Sequence, residues 1–352
     1  MRWLRRLFVF LAILGLTAAG YAWRAGIEFG PRPPSSLMQV EIGSDIKFVE
    51  ANAIRFAYIE EGQGPLILLF HGYPETARSW KIVQHRLATA GYRVVAPYMR
   101  GYPPTAFAHD YSVPALGQDI VSLIDALGAK SAIVIGHDWG ASAAYAAAAN
   151  APEKITKLVA IALPHARAFV GDPSIFLDAP HFLYYQLPWA ERLVWSNDFA
   201  HIKRLYREWA PSYDPPHEVL ADIKATLRTP GATQSTLDYY WTVFRTDPKV
   251  AQASAAKSIV VPTLVIAGAE EGLVPHGSAL SALQLAEEAR LFYVAITRAA
   301  HDLLITHCAT RQRKSATRSR WLQAVVDTGI IDEPVAPPRR ERLAADPLEP
   351  FR

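Results

Sequence analysis

Apolar residues along this chain fall into short unbroken runs that alternate with stretches of helical spacing. Leu66-Ile67-Leu68-Leu69-Phe70 is continuous, which reads as a buried strand. Arg93-Val94-Val95-Ala96-Pro97 is a second such run, and Trp80 to Ala90 between them has helical character. Leu116, Ile120, Val121, Ile124 and Leu127 recur at helical spacing, and Gly128 ends that helix. A strand at Ala132 to Ile135 follows, then a helix of small residues, then a strand at Lys157 to Ala162. Strands alternating with helices predict an α/β fold, a parallel sheet with helices on both faces. Function then belongs at the carboxyl ends of the strands.

From about 166 to 255 the pattern changes. Aromatic residues cluster, among them Phe182, Tyr184, Tyr185, Trp189, Tyr206, Tyr239 and Tyr240, with no strand run comparable to those before. This stretch reads as a helical lid, and the sheet pattern returns at Thr263 to Ala267. At the other end, Arg2, Arg5 and Arg6 precede an uncharged run from Leu7 to Trp23. The run is near the short limit for crossing a bilayer, with the arginines on the cytoplasmic side. It reads as an uncleaved single-pass anchor; a signal peptide cut after Thr17-Ala18-Ala19 is the rival. Either way the catalytic part lies outside the cytoplasm. The expected organisation is an anchor or signal at 1–24, a linker at 25–45 and a core at 46–165. The lid at 166–255, last core strands at 256–308 and a basic, Pro-rich tail at 309–352 complete it.

Composition narrows the classes. The 352 residues are 51% hydrophobic and 20% charged, enough for a sizeable core. A net charge of +3 is too weak to argue for nucleic acid. The single Cys308 rules out an internal disulfide framework and a cysteine zinc site.

The chemistry centres on Gly136-His137-Asp138-Trp139-Gly140, between the apolar run 132–135 and the small residues from Ala141. That is strand, sharp turn, helix, with glycines letting two elements cross closely and a strained residue exposed at the turn. Here that residue is Asp138. A carboxylate nucleophile attacks an sp³ carbon and leaves an ester that water must cleave. The chemistry moves from acyl transfer towards opening epoxides or displacing halide.

Residues from about 47 to 265 resemble the epoxide hydrolase branch of the α/β-hydrolases. The resemblance rests on His71-Gly72-Tyr73-Pro74, Arg100-Gly101-Tyr102, the Asp138 motif, Tyr184-Tyr185-Gln186-Leu187-Pro188 and Leu237-Asp238-Tyr239-Tyr240. It implies an α/β-hydrolase fold with a helical lid inserted after the sixth strand, a small apolar substrate, and neither metal nor organic cofactor. It implies an oxyanion hole from the peptide N–H groups of Tyr73 and Trp139. Tyr240 matches one proton donor. The other donor's usual place falls on His181, with Tyr184 three residues on; His181, Tyr185 and Trp139 are expected to line the substrate site. A dehalogenase using the same Asp138 is the runner-up, against which Tyr73 stands where haloalkane dehalogenases usually carry Asn or Glu.

Residues 266–325 carry a second resemblance. Glu287 to Ala299 resembles the arginine-finger motif of UvrD-type DNA helicases, Arg298 being the finger. No Gly-rich phosphate loop accompanies it, so a helicase or DNA-binding fragment is disfavoured, and the basic run from Arg311 to Arg320 reads as a solvated face. In hydrolase order the acid falls on Glu271, with Glu270 as rival. A helix at Ser278 to Ala289 and a last strand at Leu291 to Ile296 then lead to His301 as the water-activating base, 30 residues after Glu271, with His307 as fallback. Without a working base the chain would be an inactive hydrolase-like module.

Overall fold

The computed structural model describes residues 44–163, 165–166, 179–209, 215–247, 249–250 and 256–268, with short strands at 304–306, 310–311 and 314–315. Strands β1 (Ile46–Ala51) and β2 (Ile54–Glu61) form an antiparallel hairpin. β3 (Leu66–Phe70), β4 (Arg93–Pro97), β5 (Ala132–His137), β6 (Ile155–Ile161), β7 (Thr263–Gly268) and β8 (Leu304–Thr306) complete an eight-stranded sheet. Its order is β1-β2-β4-β3-β5-β6-β7-β8. From β4 to β8 every neighbouring pair is parallel, while β2 meets β4 antiparallel. The sheet is therefore mixed, and the hairpin at its edge is the part that apolar runs alone do not foretell. β2, Ile-Arg-Phe-Ala-Tyr-Ile-Glu-Glu, lies between β1 and β4 and buries Phe56, Ala57 and Tyr58 in succession.

All five residues of β3 are buried, as a central parallel strand covered by helices requires. Helices α1 (Lys81–Thr89), α2 (Val113–Ala126) and α3 (Trp139–Asn150) follow β3, β4 and β5. Ser112 caps α2 by accepting from the Ala115 N–H. A Cβ on Gly117 of α2 would lie 2.7 Å from that of Ala146 on α3, so the small residues of both helices bring their axes close together.

Between β6 and β7 the described residues form helices α4 (His181–Tyr184), α5 (Ala190–Trp209), α6 (His217–Arg228) and α7 (Ala232–Arg245). α5 is broken at Ser196, and Asn197, Asp198 and Phe199 have left-handed φ of 52°, 53° and 61°. At the break Asp198 pairs with Lys224 and Arg228 of α6.

The strand pairing with β7 is β8, in register Ile266↔Leu304 and Gly268↔Thr306. That position had been expected of Leu291–Ile296, which, with the helix expected at 278–289, lies outside the described residues. A two-stranded ribbon of β9 (Thr310–Arg311) and β10 (Lys314–Ser315) follows. The run from Leu7 to Trp23 also lies outside the described residues. Among those described, no helix is long and apolar enough to cross a membrane.

Candidate active site

β5 ends in the turn that carries Asp138. Its φ of 54° and ψ of −120° are a strained conformation for any residue with a side chain, costing about 1–3 kcal/mol. Two close approaches hold it. A Cβ on Gly136 would sit 2.2 Å from the Gly140 carbonyl oxygen, and one on Gly140 would sit 2.2 Å from that of Phe70. Only hydrogen fits at both, so β3, β5 and the first turn of α3 meet where Asp138 projects. A third glycine, Gly72, brings the loop after β3 against the carboxylate: a Cβ there would lie 2.4 Å from Asp138 Oδ1.

That loop delivers a donor. The Tyr73 N–H donates to Asp138 Oδ1 at 2.9 Å, and the Trp139 N–H bonds the same carboxylate. His71 braces the loop: its Nε2 accepts from the Met99 N–H at 3.0 Å, which leaves Nδ1 protonated to donate to the Gly72 carbonyl at 3.0 Å. Burial pulls the His71 pKa down to about 4, so the ring stays neutral and keeps that tautomer. Burial also raises the Asp138 carboxyl above its ordinary value, against the pull of His137 and the two peptide N–H groups.

The helical segment is docked over this centre by α7. The Ser235 and Tyr239 hydroxyls, one turn apart, donate to the carbonyls of Gly101 (2.5 Å) and Arg100 (2.7 Å). Gly101 has φ +75°, and a Cβ there would meet Tyr111 at 2.7 Å and Ser235 at 3.1 Å, so the docking surface demands glycine. Beneath it Arg100 forms a bidentate buried pair with Asp119, its Nε reaching Oδ2 at 2.6 Å. Asn52 supplies a further donor to Asp119 at 2.8 Å. On the opposite flank Thr76 donates to Asp222 at 2.5 Å and Tyr206 to Glu75 at 2.9 Å.

So placed, Tyr240 is fully buried among rings: Trp139 at 5.3 Å, Tyr73 at 5.5 Å, Phe182 at 5.1 Å, Tyr185 at 4.9 Å and His181 at 5.4 Å between centroids. Burial and the nearby Asp138 charge push its phenol well up, keeping the proton on it. Gln186 ties α4 to α7 by donating to the Phe182 and Tyr240 carbonyls.

The other aromatic residues divide. His181 packs against Tyr240, Phe182 and Trp209, and burial lowers its pKa to about 4, so it is neutral at ordinary pH. Tyr185 has its hydroxyl held by His201 Nε2 (2.7 Å) and Tyr73 (3.3 Å) and its carbonyl by the Trp241 indole (2.6 Å), so its polar groups serve the protein. Tyr184 packs edge-on against Tyr185, His201 and His181. Glu271 and His301 lie outside the described residues. His201 went unremarked in the sequence because a lone histidine on an amphipathic helix carries no signal of its partners. Among the described residues no cluster of His, Cys, Asp and Glu could hold a metal ion.

The comparisons agree with this architecture. A family model described as alpha/beta hydrolase fold matches residues 65–307, and so runs through much of the stretch read above as helicase-like. Human epoxide hydrolase 4 is 30% identical over 258 residues, covering 69% of this chain and 70% of its own length. The AB hydrolase superfamily protein YfhM of Bacillus subtilis is 34% identical over 210 residues, 56% of this chain and 73% of the relative. The crystal structure of an epoxide hydrolase from Vigna radiata superposes with a TM-score of 0.59 at 25% identity, covering 78% of this chain and 92% of that one. The chain belongs to the α/β-hydrolase family and is an epoxide hydrolase-like enzyme within it.

Proposed function

We propose that this enzyme opens small apolar epoxides through an ester on Asp138. The carrying observation is the Asp138 carboxylate, with Oδ1 held by the Tyr73 N–H and the carboxylate also bonded by the Trp139 N–H, beside the buried phenol of Tyr240. Oδ2 is the attacking oxygen. It forms a bond to a ring carbon as the carbon–oxygen bond of the epoxide breaks, and Tyr240 gives its proton to the leaving alkoxide. Oδ1 becomes the ester carbonyl oxygen. When water adds to the Asp138 carboxyl carbon, the negative charge develops on that oxygen, where the N–H donors already sit. Collapse releases the diol and restores the carboxylate. Rings of Tyr73, Trp139, Phe182 and Tyr240 around the centre suit an aryl or alkyl substituent.

Hydrolysis needs a base that deprotonates the water and returns the proton to the departing alkoxide, and a carboxylate that orients that base. Glu271 follows β7 in the chain and fits the orienting carboxylate. For the base, β8 favours His307, which follows Thr306 directly, over His301, which precedes the strand.

The test is a single turnover with styrene oxide in H2(18)O. Ester chemistry gives a first-turnover diol carrying unlabelled enzyme oxygen and leaves the label on Asp138. A labelled diol from the first turnover would overturn the covalent route. Halide release from a haloalkane, with no reaction of the epoxide, would favour a dehalogenase. The run Leu7–Trp23 fits a membrane anchor; recovery of the protein in the supernatant after a carbonate wash would reject it.

A further inference from the structure

Four polar groups form a line from α5 to the loop after β3. Arg204 Nη2 lies 3.1 Å from His201 Nδ1, His201 Nε2 lies 2.7 Å from the Tyr185 oxygen, and the Tyr185 oxygen lies 3.3 Å from that of Tyr73. His201, Tyr185 and Tyr73 are all buried.

The direction of this line follows from elementary donor rules. A guanidinium only donates, so Nδ1 must accept. Burial and the Arg204 charge hold His201 neutral, with its pKa lowered to about 3, so its single ring proton is on Nε2 and points at Tyr185. Tyr185 accepts there and must send its own proton onward to Tyr73. Tyr73 then accepts, and its own O–H finds no acceptor among the described residues. A buried donor without an acceptor is costly, and the Arg204 charge fixes which group is left holding it. The indole N–H of Trp139, which has only a proton to give, acts on the Tyr240 oxygen in the same sense and leaves that phenol's proton to be donated.

From this geometry we infer that the Tyr73 hydroxyl is a second hydrogen-bond donor to the substrate oxygen, acting beside Tyr240, with Tyr185, His201 and Arg204 as its positioning residues. Tyr73 thus acts twice: its peptide N–H holds the Asp138 oxygen through ester hydrolysis, and its side chain steadies the epoxide oxygen during ring opening. Its ring meets that of Tyr240 edge-on at 5.5 Å, so the two phenols belong to one aromatic cluster. No proton leaves Tyr73; the one transferred comes from Tyr240. The donor is thereby taken from the core loop instead of α4, where His181 and Tyr184 had been expected to supply it.

This inference rests on the covalent epoxide reading, and one experiment separates them. The full chain is mixed with styrene oxide, and formation and decay of the ester are followed by intact mass. Absence of ester in the unsubstituted enzyme defeats the covalent reading itself. If ester forms, Tyr73→Phe should slow its formation about tenfold or more while its decay stays within about twofold, because the peptide N–H remains. Formation at the unsubstituted rate would overturn the second-donor role. Should Tyr73→Phe fail to fold, His201→Gln, which keeps an N–H for Tyr185, is set against His201→Leu. Faster ester formation in the Gln variant supports the directed chain, and equal rates overturn it.

Discussion

The Tyr73 N–H donates to Asp138 Oδ1 at 2.9 Å although the two residues are 65 apart in the chain. The proposed nucleophile and its oxyanion donor are therefore one unit, assembled where β3 and β5 run side by side in register Phe70↔Gly136. In the proposed route the donors already occupy the oxygen that becomes the ester carbonyl, so little reorganisation is needed when charge develops there.

The same unit carries an electrostatic cost. Asp138 is buried and its carboxyl pKa is raised, so the folded state holds the proton more tightly than the unfolded chain. Its contribution to stability is present below the unfolded value and is lost as pH rises through the folded one. Asp138→Asn should therefore form no ester and melt higher than the parent at neutral pH, while its amide oxygen still accepts from Tyr73. A lower melting temperature would show that the ionised carboxylate stabilises the fold. Ester formation in the parent should fall away on acidification at a pH above 3.8, the ordinary value for this group.

The docking platform under α7 depends on Arg100 and Asp119, both buried. Removing one partner leaves a charge in a site with little water. Asp119→Ala should cost about 3–5 kcal/mol, read from urea unfolding. A loss under about 1 kcal/mol would show that solvent reaches the pair.

Tyr240 stands between the platform and the nucleophile. Tyr240→Phe should slow ester formation by about 10² or more while ester decay is unchanged, because in the proposed route the phenol serves only ring opening. An unchanged rate of formation would reduce Tyr240 to packing and move proton donation elsewhere.

How much of this was legible depends on whether a residue acts through its neighbours in the chain or across the fold. The central strands and α1 to α3 could be read because buried parallel strands are continuous in apolar character. The turn at Asp138 could be read because its glycines flank it within two residues in the chain, although the approach that requires Gly140 comes from Phe70. The β1–β2 hairpin could not, since charged residues interrupt its short apolar stretches. Gly101 stood out as part of a motif, yet its reason, the Ser235 side chain 134 residues away, exists only in the folded chain. The same holds for the Tyr185 hydroxyl, whose partners are His201 and Tyr73. It also holds for the Tyr73 hydroxyl, which accepts from a residue 112 positions away.

Strand order supports the proposal of His307 as the base of the second step. The parallel pairings put His137 level with Ile161, Ile161 with Ile266, and Ile266 with Leu304. β8 thus runs towards the edge of the sheet where Asp138 sits, and its last residue, Thr306, is two positions past that level. His307 is the next residue in the chain after a carboxyl strand end, and such ends are where parallel sheets collect catalytic groups. His301 precedes the strand in the chain. His307→Gln should therefore form ester at the parent rate and hold it, so that the mass adduct on Asp138 persists after excess epoxide is removed. His301→Gln should turn over as the parent does. The reverse result would place the base before β8. Persistence of the ester in the unsubstituted protein would mean that neither histidine reaches the water, leaving a chain that alkylates itself without turnover.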